Sequence, residues 1–146
     1  MNAVLQSVRA ELDNRDITFY PQLMVELPLV NGHPIQLQEV VANLVHNAIE
    51  AMAETTDRAR VLKVTSEIHR RNAIKVSIED SGLGIPQKRL RQVFDAFVTT
   101  KPAGIGLGLA ICKMIIDRHG GTISAHSDGS SGTKMQIILP IYDKHH

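Results

Sequence analysis

The sequence is poor in cysteine, aromatic residues and net charge, and each shortage excludes a class of protein. The 146 residues include one cysteine, Cys112, so no intrachain disulfide framework is possible. There are three phenylalanines, two tyrosines and no tryptophan, which is few for a protein that binds nucleic acid by base stacking. A formal net charge of +1 provides no broad basic field to attract nucleic acid or anionic lipid.

Long hydrophobic runs are also missing. The longest, residues 105–116, is interrupted by Lys113 and is shorter than the roughly 20 apolar residues that a membrane-spanning helix needs. No signal-peptide pattern is present. The composition, 43% hydrophobic and 21% charged, is that of one globular domain. We therefore expect a cytoplasmic domain that contacts neither membrane nor nucleic acid, with Cys112 as a small core residue.

Hydrophobic periodicity predicts an α/β domain. Apolar residues at three- and four-residue steps indicate helices, and alternating apolar residues indicate strands. The predicted helices cover residues 3–14, 35–54, 87–93 and 106–119, and the predicted strands cover residues 17–27, 62–68, 74–79, 122–126 and 135–139.

The helix over residues 35–54 carries two asparagines four residues apart. Asn43 and Asn47 lie on one stripe with Glu39 and Glu50, opposite the apolar stripe. Such a stripe is usually no more than a solvated face, but asparagine is a poor helix former that prefers caps and turns. Amide oxygens can ligate Mg²⁺, which keeps several waters and shares its coordination with phosphates. The pair is therefore a candidate magnesium site.

A glycine-containing turn follows the strand over residues 74–79. Asp80 ends this strand, so we expect it at the rim of the sheet rather than in the core. A carboxylate accepts hydrogen bonds and the exocyclic amine of adenine donates them, so a site built on this contact rejects guanine. Gly82 and Gly84 allow sharp turns and leave room beside a base. By itself, the Asp80–Gly84 pattern is equally that of an ordinary turn.

A second glycine-rich stretch, Gly104-Ile-Gly-Leu-Gly-Leu109, leads into the helix over residues 106–119. A helix N-terminus presents free N–H groups and partial positive charge, which suits a phosphate. Leu109 stands where the dinucleotide fingerprint has glycine or alanine, and no Lys-Ser or Lys-Thr completes a Walker motif. The His-Arg-Asp and Asp-Phe-Gly loops of the protein-kinase fold are missing. The pattern argues against all three of these classes.

Five motifs in order resemble those of the ATP-binding domain of bacterial sensor histidine kinases. They are similar to its N box, first glycine box, F box, second glycine box and third glycine box, and they read Asn43-Leu-Val-His-Asn47-Ala-Ile-Glu-Ala51, Asp80-Ser-Gly-Leu-Gly84, Val93-Phe-Asp-Ala-Phe97, Gly104-Ile-Gly-Leu-Gly-Leu109 and Gly132-Thr133. The similarity runs from about residue 34 to Pro140. It implies the Bergerat fold of gyrase B, the Hsp90 chaperones and MutL, an α/β two-layer sandwich. In that fold a mixed, mostly antiparallel sheet carries helices on one face, and ATP binds beneath a mobile lid.

The resemblance also implies roles for the matching positions. Asn47 would coordinate Mg²⁺, and Asn43 would support it or touch the phosphates. Lys101 would offer charge to the outer phosphates, so Asn43, Asn47 and Lys101 are the candidate catalytic residues. The candidate residues near the base are Asp80 on the adenine amine, Thr133 through a water, and Gly82, Gly84 and Ile85. The second glycine box would approach the phosphates with Gly104, Ile105, Gly106, Leu107, Gly108 and Leu109.

The lid that the resemblance implies, between Phe97 and Gly104, is short. The Thr99-Thr-Lys101 stretch and Glu50 look like those of the subgroup that includes nitrogen- and oxygen-responsive kinases. Many relatives have a basic residue at the Glu50 position that contacts phosphate, which a carboxylate cannot do without a bridging cation or protonation.

Two absences bear on the mechanism. Gyrase-like relatives have a glutamate at the position of Asn43 that activates the hydrolytic water. Because an amide cannot do this, we expect slow hydrolysis and transfer to a better placed acceptor. The family's acceptor histidine lies in its own motif on a helical dimerisation domain, and none of the seven histidines here has that context. His46, beside Asn47, is more typical of a packing residue.

The chain therefore resembles the catalytic fragment of a longer kinase. Residues 1–14 would end a linker from the dimerisation domain, residues 15–142 would form the ATP-binding domain, and residues 143–146 would be a tail whose two histidines are native or belong to a tag. The partners implied are that dimerisation domain and, indirectly, a response regulator. The fragment alone is expected to be a monomer, because the family dimerises through the missing region.

Two other functions fit the same motifs. An anti-sigma-factor serine kinase uses a similar fold without a helical acceptor domain, but the Thr99–Lys101 stretch and the helix over residues 3–14 favour a histidine kinase. A nucleotide-gated interaction module would keep the fold without the chemistry, and the presence of Asn47, Asp80 and Lys101 argues against it. The two kinases are separable because phosphohistidine is acid-labile and phosphoserine is not.

Overall fold

Five strands and three helices are placed by the computed structural model, which describes residues 9, 12, 14–22, 34–53, 59–82, 84–90, 92–95, 108–127 and 132–141. In chain order they are β1 (Ile17–Gln22), α1 (Pro34–Met52), β2 (Arg60–His69), β3 (Ala73–Asp80), α2 (Gln87–Leu90), α3 (Gly108–Arg118), β4 (Thr122–Ser127) and β5 (Thr133–Pro140).

The strands form one mixed sheet in the order β1-β2-β3-β5-β4. β1 and β2 are parallel, and α1 lies between them in the chain, as a parallel connection requires. The other three pairs, β2 with β3, β3 with β5 and β4 with β5, are antiparallel. A sheet of this kind under helices confirms the predicted α/β two-layer fold.

α1 and α3 cover one face of the sheet, and alternate strand residues complete the core. Leu62 and Val64 of β2 pair with Asp80 and Ile78 of β3, and all four are buried, because side chains two apart along a strand share a face. Among the described residues, the large side chains that are less than 2% exposed are Leu12, Val40, Leu44, Val45, Ile49, Met52, Leu62, Val64, Ile78, Cys112 and Ile116. Burying one large aliphatic side chain stabilises the fold by roughly 1.5–3 kcal/mol. The prediction that Cys112 is a core residue is confirmed.

The opposite face of the sheet is polar. Lys63 on β2, Glu79 on β3 and Lys134 on β5 are cross-strand neighbours, and the Lys75 ammonium lies 3.4 Å from the Glu67 carboxylate. Such pairs contribute roughly 0.2–1 kcal/mol each. A polar depression of about 300 Å³ on this face is bounded in part by Lys63, Glu67 and Glu79, on the side of the sheet away from α1 and α3.

Element boundaries follow local chemistry. α1 begins at Pro34, and proline suits a first helical position because its missing N–H has no intrahelical partner there. The predicted helix over residues 87–93 is wrong beyond Leu90, since α2 is a single turn and residues 92–94 form turns. α3 ends at Arg118, and Gly120 follows with φ 73°, the left-handed conformation that glycine adopts freely.

The N-terminal segment is described at three positions of the helix predicted over residues 3–14. Arg9, Leu12 and Asn14 are helical, and Leu12 is buried in the core. The Arg60 guanidinium donates hydrogen bonds to the carbonyls of Arg15 (2.8 Å) and Ala53 (3.0 Å), so the end of this segment is tied to the end of α1. The rest of that helix, residues 23–27 of the predicted first strand, and the tail lie outside the described residues.

None of the helices in the described ranges combines the length and the apolar character that crossing a bilayer would require.

Candidate nucleotide site

Asp80 is a buried carboxylate at the end of β3. It pairs with Leu62 of β2 and Thr133 of β5, and the residue is 8% exposed. The expectation that Asp80 lies at the rim of the sheet is confirmed, because it is the last residue of β3 and pairs with the first residue of β5, but the residue is buried rather than open to solvent. The loop that follows it folds back onto its carboxyl group through Gly82, and α1 packs on Gly82 at Ala51.

Two backbone N–H groups hold the Asp80 carboxyl group. Gly82 donates to Oδ1 at 2.8 Å, and the N–H of Thr133 also donates to the carboxyl group. Burial nevertheless raises the pKa of Asp80 to about 6, with those two bonds opposing the rise and Glu79 adding a smaller upward effect. A buried carboxyl with a perturbed pKa is characteristic of functional sites. At neutral pH the group is mostly ionised and can accept further hydrogen bonds.

Ser81 joins the glycine loop to the start of β2. Its hydroxyl donates to the carbonyl of Ala59 at 2.8 Å and accepts from the N–H of Val61 at 2.8 Å. These bonds continue the β2–β3 pairing past its last residue by using a side chain. The loop after Asp80 is thereby fixed at its first position, a role of Ser81 that the sequence alone does not indicate.

Gly82 is glycine because α1 passes directly above it. A β-carbon at this position would lie 2.5 Å from the carbonyl oxygen of Ala51 and 3.1 Å from its β-carbon. Ala51 is one turn beyond Asn47 on α1. The first glycine box therefore packs against the end of the N box, as a shared site requires.

Gly132 makes the equivalent close approach from the other side. Its φ is 122°, and a β-carbon there would overlap the backbone carbonyl of Asp80. The next residue, Thr133, is buried and begins β5. The third glycine box thus lies directly against the first, with the Asp80 carboxyl group held by both.

Asn43 and Asn47 lie on one stripe of α1, as predicted. Asn43 is exposed and Asn47 half-buried, with Glu39 and Glu50 exposed along the same stripe. The Asn43 amide nitrogen lies 3.8 Å from the Cys112 sulfur on α3 and donates to it. α1 therefore contacts the loop after Asp80 through Ala51 and contacts α3 through Asn43.

Several further residues of the predicted motifs lie in the described part of the chain, and some of them pack against the hydrophobic core. Gly84 has φ 80°, and Ile85 packs against the core. Leu109, in the first turn of α3, and Phe94 of the F box are also half-buried against it. Gly108 begins α3. Lys101, Gly104, Ile105, Gly106, Leu107 and Phe97 lie outside the described residues.

A metal site built from acidic or sulfur ligands does not occur in this part of the chain. Within the described ranges, no three or more histidine, cysteine, aspartate or glutamate side chains are arranged to hold a metal ion.

Comparison with known proteins agrees with this geometry. The family model of histidine kinase-, DNA gyrase B- and HSP90-like ATPases matches residues 32–143. Sensor protein TdiS of Thauera aromatica is 36% identical over 146 residues, which cover 97% of this chain and 27% of TdiS. The solved catalytic domain of histidine kinase ThkA is 33% identical with a TM-score of 0.83, over 96% of this chain and 90% of that one. ThkA in complex with response regulator protein TrrA matches with 30% identity and a TM-score of 0.79, over 97% of this chain and 39% of that one.

The chain therefore belongs to the histidine kinase-, DNA gyrase B- and HSP90-like ATPase family. It is an ATP-binding catalytic domain of the sensor histidine kinase type, as its motifs predicted. It spans about a quarter of the length of TdiS, so this domain is one part of the proteins that it resembles.

Proposed function

We propose that this domain binds Mg²⁺–ATP and transfers the γ-phosphoryl group to a histidine on a separate helical dimerisation domain. The observation that carries the proposal is the buried Asp80 carboxylate, held between Gly82 and Thr133 beside the helix that bears Asn43 and Asn47. In the reaction, the bond from the γ-phosphorus to the β,γ-bridging oxygen breaks, a bond from phosphorus to imidazole nitrogen forms, and ADP leaves.

Asp80 is proposed to select adenine. An ionised carboxylate is an acceptor, so it pairs with the exocyclic amine of adenine and is mismatched with the carbonyl that guanine presents there. Its burial strengthens this contact, because the carboxylate exchanges little solvent when the base binds. Gly82, Gly84 and Ile85 would line the base, and Thr133 would assist through a water.

Asn47 is proposed to ligate Mg²⁺ with its amide oxygen, and Asn43 to support the metal or touch the phosphates. The metal would neutralise phosphate charge as the phosphoryl group moves. Mg²⁺ usually keeps several waters and shares its coordination with phosphate oxygens, so one or two amide ligands from the protein suffice.

The phosphates are proposed to lie toward the start of α3. The first helical N–H groups of an 11-residue helix carry partial positive charge and favour an anion. Gly104, Ile105, Gly106, Leu107, Gly108 and Leu109 would approach the phosphates, and Lys101 would place a charge on the outermost one. These assignments rest on the resemblance, except that Gly108 and Leu109 lie at the start of α3.

Asn43 is proposed to limit wasteful hydrolysis. An amide cannot remove a proton from water, so general-base activation of a hydrolytic water is missing at this position. Phosphoryl transfer then depends on positioning an external acceptor in line with the γ-phosphate. The acceptor histidine and the residue that takes its proton would belong to the dimerisation domain.

The partners proposed are that dimerisation domain and a response regulator. The solved complex of ThkA with response regulator protein TrrA contains a domain with the fold of this chain, which supports the second partner. The isolated domain is proposed to be a monomer that functions in the cytoplasm. Residues 1–14 are proposed as the end of the linker, 15–142 as the ATP-binding domain and 143–146 as a tail.

Calorimetric titration with ATP, with and without Mg²⁺ and beside GTP, tests the binding half of this proposal. We expect Mg²⁺-dependent binding of ATP and at least tenfold weaker binding of GTP, on the order of 1.4 kcal/mol. Asp80→Asn should weaken ATP binding more than about tenfold, because it swaps a buried acceptor for a group that can present a donor. Unchanged ATP affinity in this variant would show that Asp80 does not hold the base.

Incubation with labelled ATP and a histidine-bearing dimerisation domain of a relative tests the transfer half. The expected product is an acid-labile phosphoprotein that is lost when the acceptor histidine is replaced by alanine. An acid-stable product would indicate a serine kinase instead. A domain that binds Mg²⁺–ATP but transfers no phosphoryl group would be an interaction module. This outcome requires that neither a relative's dimerisation domain nor the dimerisation domain of this kinase is phosphorylated.

A further inference from the structure

Ser127, the last residue of β4, is bonded to both sides of the Asp80 site. Its hydroxyl donates to the carbonyl of Gly132 at 2.7 Å and accepts from the N–H of Ile85 at 2.9 Å. One hydroxyl has a single proton to donate, and here it is directed at Gly132 while an oxygen lone pair receives Ile85. The serine side chain therefore spans the gap between the first and third glycine boxes.

Gln87 attaches the same segment a second time. Its amide nitrogen donates to the backbone carbonyl of Ser127 at 2.8 Å. Ile85 and Gln87 are two residues apart and follow the first glycine box directly. The segment after the first glycine box is thus hydrogen-bonded to the end of β4 twice, once at the Ser127 side chain and once at the Ser127 backbone carbonyl.

The effect of Ser127 reaches Asp80 through Gly132 and Thr133. Gly132 lies so close to the Asp80 carbonyl that no side chain would fit between them. Thr133, the next residue, donates its N–H to the Asp80 carboxyl group. A shift of Gly132 that followed loss of the Ser127 bond would therefore move a donor that orients the carboxylate.

We propose that Ser127 is a positioning residue of the adenine site. It sets the spacing between Ile85 and Gly132, and that spacing fixes the orientation of the Asp80 carboxylate and the width available to the base. This inference rests on the proposed function and adds a residue outside all five motifs. A hydrogen-bonding site loses discrimination when its acceptor is misplaced by a fraction of an ångström.

A double-mutant cycle tests the proposal, because it separates an effect through Asp80 from a general loss of stability. ATP affinity is measured by calorimetry for wild type, Ser127→Ala, Asp80→Asn and the double variant. We expect Ser127→Ala to weaken ATP binding about three- to tenfold in the wild-type background, the range for one hydrogen bond, and less than twofold in the Asp80→Asn background.

Three further variants complete the design. Ser66→Ala removes a buried hydroxyl on β2, four residues along the strand from the Asp80 partner Leu62, and should leave ATP affinity within twofold. Ser127→Thr keeps the hydroxyl and should restore most of the affinity. Gln87→Ala removes an exposed side chain, so it should fold normally, and it should weaken binding about two- to threefold. If a thermal melt shows that Ser127→Ala is unfolded, Gln87→Ala is the variant that tests the proposal.

The outcomes separate this inference from the function on which it rests. Two results would overturn the positioning role while leaving the proposed function intact, provided that the wild type binds ATP. One is that Ser127→Ala weakens ATP binding equally in the wild-type and Asp80→Asn backgrounds. The other is that neither Ser127→Ala nor Gln87→Ala weakens ATP binding. A wild-type domain that binds no ATP overturns the proposed function and the positioning role together.

Discussion

The Asn43 amide nitrogen donates a hydrogen bond to the Cys112 sulfur across 3.8 Å, and this contact joins α1 to α3. Cys112 is fully buried, whereas Asn43 is exposed. The bond therefore links a core position to a residue proposed to act on the metal or phosphates. It also orients the amide, because the nitrogen that faces the sulfur leaves the oxygen for other partners.

Cys112 should be unreactive in the folded domain. Burial raises the pKa of its thiol, opposed in part by the bond from Asn43, and only the thiolate reacts readily. With one cysteine in the chain, a chromogenic thiol reagent reports on this residue alone. At pH 8 we expect reaction at least about tenfold slower in buffer than in denaturant. Equal rates in the two solutions would contradict its burial.

Ionisation of Asp80 should lower the stability of the nucleotide-free domain. Folding raises its pKa from 3.8 to about 6, so the folded state binds this proton more tightly than the unfolded state. The stabilisation is complete below pH 3.8 and is lost as the pH rises through about 6, with an upper limit of roughly 3 kcal/mol.

Urea unfolding of wild type and Asp80→Asn isolates this effect, because asparagine does not titrate. As the pH is raised from 4 to 7.5, the free energy of unfolding of wild type should fall relative to that of the variant by up to roughly 3 kcal/mol. A difference between the two proteins that stays constant over this range would show that Asp80 titrates as it does in the unfolded chain.

Asn47→Ala should remove most of the Mg²⁺ dependence of ATP binding. Loss of one amide ligand is expected to weaken binding in Mg²⁺ about tenfold, near 1.4 kcal/mol, with little change in EDTA. Gln38→Ala is the matched control, because Gln38 is an exposed amide on another side of α1 and should change neither value. Equal losses for Asn47→Ala with and without Mg²⁺ would assign Asn47 a packing role.

Gly82→Ala should destabilise the domain more than Gly120→Ala. At Gly82 a β-carbon would meet the Ala51 carbonyl oxygen at 2.5 Å, and such overpacking costs about 1–3 kcal/mol. At Gly120 the nearest atom is the Pro140 Cγ at 3.7 Å, so only the φ of 73° opposes alanine, at about 1–2 kcal/mol. Thermal unfolding of both variants checks the order. The reverse order would mean that the Gly82 loop can move away from α1.

The layout of the domain was predictable from the sequence because its signals are local. The three- and four-residue steps over residues 35–54 and the alternation in β2 and β3 identify their elements, and the ends of α1 at Pro34 and α3 near Gly120 follow from proline and glycine chemistry. The single turn of α2 was overestimated, because the helix-compatible residues after Leu90 give no local reason to stop.

The site was predictable as a set of motifs but not as a set of contacts. Periodicity places Asp80 at a strand end, but its burial accompanies contacts from Gly82, Gly132 and α1, of which the last two come from residues distant in the sequence. The hydrogen bonds of Ser81 and Ser127 join residues about twenty and forty positions apart, and serine near a turn is too common to indicate them. The predicted strand ends at residue 126, so Ser127 falls in the following turn and no sequence signal distinguishes it.

The parallel pairing of β1 with β2 has a consequence for synthesis on the ribosome. β1 leaves the exit tunnel before its partner, and all of α1 must follow before β2 can dock alongside it. Until then Ile17 and Phe19, which pack into the finished core, have no sheet to join. The β2–β3 hairpin, in contrast, closes over a short turn within a single stretch of nascent chain. Translation pauses or chaperone contacts that shelter the first strand should therefore affect the yield of this domain more than those that act on its C-terminal half.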